Sequence, residues 1–185
     1  MSLTPSTMRE LGSSLPHFSL PDVRTNQTYS SESSAGRVTV IAFICNHCPF
    51  VVHLKTALAE FGRFCEQREA QLVAISSNDV LSHPADGPAQ MKQDAEERGY
   101  GFPYLYDESQ DVARAFDAAC TPDFFVFDDQ GKLAYRGQFD DSRPGNGLPI
   151  SGDDLRAAVL ALLAGKRPSA QQKPSIGCNI KWKAR

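Results

Sequence analysis

The segment Cys45-Asn46-His47-Cys48-Pro49 sets two thiols two residues apart, directly after the apolar run at 38–44. A pair so spaced can close a small disulfide, and where a strand passes into a helix it can do so reversibly. The attacking species in that chemistry is the thiolate, and a free cysteine with a pKa near ~8.5 is mostly protonated at neutral pH. A helix N-terminus lowers that value, because the first-turn amides turn their positive ends outward. Cys45, just before the expected helix, is read as the attacking nucleophile. Cys48, one turn further on, is read as the resolving thiol. His47 as an imidazolium would stabilise the Cys45 thiolate and make the disulfide a stronger oxidant. The alternative for His47 is a solvated ring with no effect.

Cys120-Thr121-Pro122 leads into a second apolar run. Composition alone favours an ordinary trans proline opening a strand. A cis bond would instead present backbone to an incoming chain and bring Thr121 beside the cysteine pair. Cys120 then reads either as a packed thiol or as a third redox thiol. Cys178 reads either as a locally packed thiol or as a relay to Cys45 or Cys120. Ile176, Ile180 and Trp182 around it point to a docked tail, since tryptophan is mostly buried. Cys65 falls on an apolar helical stripe and is expected to be buried and inert. His53 is expected on a solvated helix face, and nothing around His17 or His83 forms a pattern. Two thiols and a histidine could also hold Cu(I) or Zn, but no second cysteine pair completes a zinc site, and no metal is assigned.

These residues need elements to hold them. Residues 38–44 are nearly all apolar and β-prone, as in a strand buried on both faces. Residues 49–68 carry Val51, Leu54, Leu58, Phe61 and Phe64 at three- and four-residue steps, one buried helical stripe. Pro49 suits a first turn, where amides lack intrahelical partners. Residues 72–75 form a second strand, so the cysteines sit at the carboxyl edge of a right-handed βαβ unit. Downstream, the pattern predicts a polar loop at 76–87, a helix over 88–98, a strand at 104–106 and a helix near 109–118. A hairpin of 123–127 with 132–137 and a helix over 153–163 follow. Residues 18–20 and 28–30 make a short N-terminal hairpin. The chain is expected to divide into a loosely held arm at 1–15, one domain at 16–164 and a basic tail at 165–185 docked on it.

The chain has 185 residues, 41% hydrophobic and 22% charged, with a net charge of −3. That suffices for one domain with its own core. Nothing in the balance favours nucleic acid or an anionic membrane. No stretch reaches the ~18 apolar residues of a membrane span. The first residues lack a basic and then apolar leader, so the cytosol is the expected compartment. Five cysteines there argue against a static disulfide framework.

The apolar strand, the Cys-x-x-Cys at a helix start and the Thr-Pro before a hairpin resemble the thioredoxin fold. Pro16-His17-Phe18-Ser19-Leu20-Pro21-Asp22, the inserted segment and Phe125-Val126-Phe127-Asp128-Asp129-Gln130-Gly131 resemble its redoxin branch, the alkyl-hydroperoxide-reductase/thiol-specific-antioxidant superfamily. The segments 43–50, 141–146 and 174–182 look closer still to the peroxiredoxin-like thioredoxin proteins of that branch. The resemblance spans roughly residues 16–183. It implies a thioredoxin-like α/β fold with a mixed central sheet, Cys45 as the reactive cysteine, and Pro122 as a cis proline with Thr121 beside it. The chain also departs from the pattern. Peroxiredoxins carry a threonine three residues before the reactive cysteine, here Ala42, and an arginine near the strand that here opens at Thr121-Pro122. Thioredoxins carry a tryptophan just before the first cysteine and a buried carboxylate six before it, here Ile44 and Thr39. No general base for Cys48 is apparent.

The expected function is therefore thiol–disulfide exchange through Cys45 and Cys48, with His47, Thr121 and Pro122 in support. A thiol-dependent antioxidant peroxidase is the alternative, and a copper-binding module a second one. No bound cofactor is expected. The expected partners are protein or low-molecular-weight thiols and disulfides, with neither nucleic acid nor membrane. The oligomeric state is left open.

Overall fold

The computed structural model describes residues 3–184. In chain order the elements are β1 (Leu3–Pro5), β2 (Ser19–Pro21), β3 (Thr28–Ser30), β4 (Thr39–Phe43), α1 (Pro49–Glu66), β5 (Gln71–Ser76) and α2 (Pro88–Arg98). There follow β6 (Tyr104–Tyr106), α3 (Asp111–Ala115), β7 (Cys120–Thr121), β8 (Asp123–Phe127), β9 (Leu133–Gly137), α4 (Asp153–Leu163) and β10 (Ile176–Asn179). Short 3-10 turns lie at Ser31–Ser34 and Pro84–Asp86.

The central sheet has the order β6-β5-β4-β8-β9. β4, β5 and β6 run parallel, β8 runs antiparallel to them, and β9 is antiparallel in turn to β8. The sheet is mixed and helices flank it, the thioredoxin-like α/β architecture. Successive side chains of a strand point to opposite faces, and both faces here are apolar. Val40, Ala42, Leu72, Ala74, Phe124 and Val126 face one cluster, which takes Leu54 and Leu58 from α1, Met91 from α2 and Val159 from α4. Ile41, Phe43, Val73, Ile75, Phe125 and Phe127 face the other, with Val112 from α3 and Phe116. There Phe116 meets Phe43, Phe125 and Phe127 edge-on at 5.3–5.9 Å. Such edge-to-face pairs add about 0.5–1.5 kcal/mol beyond area burial. No helix among the described residues is long and apolar enough to cross a membrane.

Three segments differ from expectation. The N-terminal arm is held rather than loose. β1 pairs with β10, and the Gly12 and Leu15 amides bond to Leu133 and Gly131 carbonyls. The tail, read only as docked and basic, includes a strand. β10 lies between β1 and β7 in a separate three-stranded antiparallel sheet. Ile-Gly-Cys-Asn has no alternation to mark it as β. It becomes a strand because the backbones of Leu3–Pro5 and Cys120–Thr121 are there to receive it. The helix expected near 109–118 is shorter, Asp111–Ala115.

Candidate active site

β4 and β5 run parallel, so their carboxyl ends open on the same edge, and the Cys45–Cys48 loop leaves β4 there. The Ile44 amide continues the ladder to the Ile75 carbonyl at 2.9 Å, and the chain then turns into α1. Cys48, not Cys45, is the N-cap of α1, with extended backbone and Pro49 next in line. The positive end of the helix therefore falls on Cys48. Hydrogen bonds from the Cys45 and Cys178 thiols, with the Val51 amide, hold the Cys48 thiol down to about 4. The Cys45 thiol is pushed up, first by its hydrogen bond to Cys48, then by burial and by the Asp86 carboxylate. The pair shares its proton with the charge favoured on Cys48. This corrects the sequence expectation, which placed the helix field on Cys45. The cysteine nearest the first turn receives the field, and Cys45 lies one turn short of it.

Thr121 touches both sulfurs. Its Oγ1 is 3.5 Å from Cys45 Sγ, and its carbonyl oxygen lies 3.2 Å from Cys48 Sγ. The Thr121–Pro122 peptide bond is cis. Cys178 joins them, its Sγ 2.8 Å from Cys48 Sγ. The relay reading aimed Cys178 at Cys45 or Cys120; the sulfur it meets is Cys48. Its own thiol is pushed up to about 12 by burial and by Cys48. Cys120 is buried, its sulfur directed to the Pro122 carbonyl at 3.6 Å, and burial beside Asp123 raises its thiol. Cys65 is buried under α1, and burial pushes it up to about 12.

His47 does not bond to the Cys45 sulfur. Its Nδ1 lies 2.6 Å from Asp86 Oδ2, and its ring stacks on His83 at 5.0 Å. Asp86 is the residue that the sequence reading missed. Its side chain is fully buried and accepts from the Asn46 amide at 2.8 Å, the His47 amide at 3.3 Å and Asn78 Nδ2 at 2.8 Å. One carboxylate thus pins the backbone between the two cysteines. Asn46 completes the clamp, donating to the Ala85 carbonyl and accepting from the Tyr104 hydroxyl. The available signal was topological: the loop after β5 must open beside the loop after β4, and Asp86 is in it. His53, expected in solvent, bonds through Nε2 to Ser142 Oγ at 2.7 Å.

Donor atoms of Cys45, His47 and Asp86 lie within 4.8 Å of one another. Thiolate, imidazole and carboxylate together suit zinc or copper. An ion there would compete with the donors that Asp86 already serves. Asp86→Ala should therefore act on the loop first. Unpaired buried donors cost about 1–3 kcal/mol, so a loss of roughly 3 kcal/mol in urea denaturation is expected. The Asn46 and His47 amides should lose their protection in hydrogen exchange. Unchanged protection would mean that the loop is held by other contacts.

A cysteine pair at a helix mouth, faced by a cis-proline strand across a mixed sheet, defines a thioredoxin-like redox protein. Residues 11–136 match the AhpC/TSA family, and the chain belongs to it. Membership places the protein among the thiol-based oxidoreductases in general. An uncharacterized conserved protein from Geobacillus kaustophilus is 50% identical, with a TM-score of 0.98 over 100% of this chain and 98% of that one. A hypothetical protein from Sinorhizobium meliloti is 46% identical, with a TM-score of 0.95 over 98% of this chain and 100% of that one. A thiol:disulfide interchange protein of the thioredoxin family from Chlorobium tepidum shares the fold, with a TM-score of 0.65 at 20% identity over 82% of this chain and 97% of that one. No functionally curated protein is detectably similar in sequence.

Proposed function

We propose that the protein is a thiol–disulfide oxidoreductase whose Cys45 and Cys48 cycle between dithiol and disulfide. The observation that carries this reading is the placing of both sulfurs at the mouth of α1 against Thr121, the residue before the cis proline. Cys48 is enclosed by the Thr121 carbonyl, Cys178 and the helix end. Cys45 is accordingly the thiol that meets an external disulfide once the site opens.

In the forward step the Cys45 sulfur attacks one sulfur of the substrate, and its proton passes along the existing hydrogen bond to Cys48. The substrate's S–S bond breaks, and its other sulfur leaves as a thiolate. Cys48 then gives up that proton to the released thiolate and attacks Cys45. The mixed disulfide breaks, the second substrate thiolate departs, and Cys45–Cys48 is oxidised. The enzyme loses two electrons and the substrate gains them. The reverse sequence oxidises a dithiol. Thr121 and Pro122 shape the edge beside the pair, and His47 sets the loop through Asp86. Protein or low-molecular-weight thiols and disulfides in the cytosol are the substrates this chemistry takes, without a bound cofactor.

Family membership favours a peroxidase as the second reading. Against it, the position three before Cys45 is Ala42, buried in β4 and without a hydroxyl to place a peroxide. Equilibration with glutathione buffers, read by mass spectrometry with metal excluded, separates the two. A reversible Cys45–Cys48 couple between roughly −120 and −270 mV is expected. Absence of that disulfide would overturn the proposal, and stoichiometric consumption of peroxide at Cys45 would then favour the peroxidase.

A further inference from the structure

We propose that β10 is a built-in occupant of the substrate edge, and that its Cys178 accepts the disulfide from the oxidised Cys45–Cys48 pair to give Cys48–Cys178. The inference rests on the oxidoreductase reading of that pair and adds a third thiol and a self-docked strand to it.

β10 runs antiparallel to β7, with Cys178 opposite Thr121 and Asn179 opposite Cys120. Thr121 is the residue that touches both catalytic sulfurs, so β10 takes the backbone edge an extended polypeptide would need. The approach is closer than any side chain permits. A Cβ on Gly177 would lie 2.0 Å from the Thr121 carbonyl oxygen and 3.2 Å from Pro122 Cδ. Glycine at 177 is what lets the tail down far enough to bring the Cys178 sulfur to Cys48.

The tail is tied down at both ends of the strand. Ser175 Oγ donates to the Pro122 carbonyl at 2.6 Å, and the Ile180 amide donates to the Ala119 carbonyl at 3.1 Å. On the far side the Lys181 amide reaches Asn78 Oδ1 at 2.9 Å, and Asn78 in turn donates to Asp86. The strand is thus fastened on both sides of Cys178, and its far anchor shares Asp86 with the Cys45–Cys48 loop. With β10 in place Cys48 is 0% exposed and its sulfur lies against Cys178, so an external disulfide cannot reach Cys48 until the tail lifts.

The chemistry is a single exchange. The Cys178 sulfur attacks Cys48 Sγ, the Cys45–Cys48 bond breaks, and the Cys48–Cys178 bond forms. The electron pair leaves on Cys45, which takes the proton Cys178 gave up. No oxidant or reductant is consumed. Two of the influences that raise the Cys178 thiol come from Cys48 itself, and they vanish once Cys48 is in a disulfide. Cys178 is therefore a better nucleophile in the oxidised protein than in the reduced one. The product locks the tail over the edge through residues 130 apart in sequence.

The test is non-reducing peptide mapping by mass spectrometry after equilibration of the full chain in glutathione buffers. Wild type should yield the Cys48–Cys178 pair beside Cys45–Cys48. Cys45→Ser should convert almost wholly to Cys48–Cys178. Gly177→Val, with its fold checked by circular dichroism, should keep Cys45–Cys48 and lose Cys48–Cys178 at least tenfold. A folded Cys45→Ser protein that carries only glutathione on Cys48 would overturn the proposal. Failure of Cys178→Ser to form Cys45–Cys48 at all would instead strike the oxidoreductase reading, which makes the two failures distinguishable.

Discussion

Cys45→Ser should slow the reduction of a protein disulfide by more than about a thousandfold, because Cys48 and Cys178 face each other beneath the tail and are left only to slow oxidation by glutathione at equilibrium. Cys48→Ser should behave differently. It leaves the attacking thiol but removes its proton acceptor and the second sulfur. Attack should slow, yet each event should end as a stable mixed disulfide between Cys45 and the substrate. Incubation with a disulfide-containing protein, followed by non-reducing electrophoresis and mapping of the captured cysteine, reads both results. Because Cys178 lies against Cys48, the trapping experiment is best repeated in Cys178→Ser, where the tail cannot intercept the intermediate. Full activity in Cys45→Ser, or capture at Cys48 rather than Cys45 in the wild-type background, would refute the assignment of roles.

The second large effect is on stability. Asp123 is buried against the cis peptide, pairs across the sheet with Phe43, and accepts from Ser6 Oγ at 2.8 Å. Burial pushes its carboxyl up to about 7. An unfolded chain ionises the same group near ~3.9. Below that value both states hold the proton, and Asp123 leaves stability untouched by pH. Between about 4 and 7 the unfolded chain has released its proton while the native state keeps it, so stability falls as pH rises. Above about 7 the loss is complete, and at ~1.4 kcal/mol per pH unit it comes to roughly 4 kcal/mol. Asp123→Asn cannot ionise. The difference between its urea-denaturation stability and that of wild type should therefore swing in favour of the variant by several kcal/mol between pH 4.5 and pH 8. A difference that stays flat would show that the carboxyl titrates normally in the native state.

The architecture was legible because its strands and helices announce themselves locally. Residues 38–44 and 72–75 are apolar without interruption, α1 carries its stripe at helical spacing, and the hairpin has Asp-Asp-Gln-Gly at its turn. The spacing of Cys45 and Cys48, and their place after a buried strand, follow from sequence position alone. Position in the chain could also name Thr121-Pro122, but only through resemblance to a family, since composition favoured a trans bond.

The division of charge within the pair was not legible. It depends on which sulfur caps α1 and which lies beside Asp86, a distance set by loops 39 residues apart. Asp86 itself, Asp123 and the seat of Cys178 escaped for a common reason. A carboxylate in a polar loop, an aspartate after a proline and a four-residue tail segment carry no local pattern, and each gains its role from burial against distant chain. The sequence by itself determined the redox pair and the sheet that carries it, because both are encoded by neighbouring residues. Only the tertiary structure decided that Cys178 meets Cys48, because that contact closes a loop of 130 residues and needs, at position 177, a residue without a Cβ against the Thr121 carbonyl.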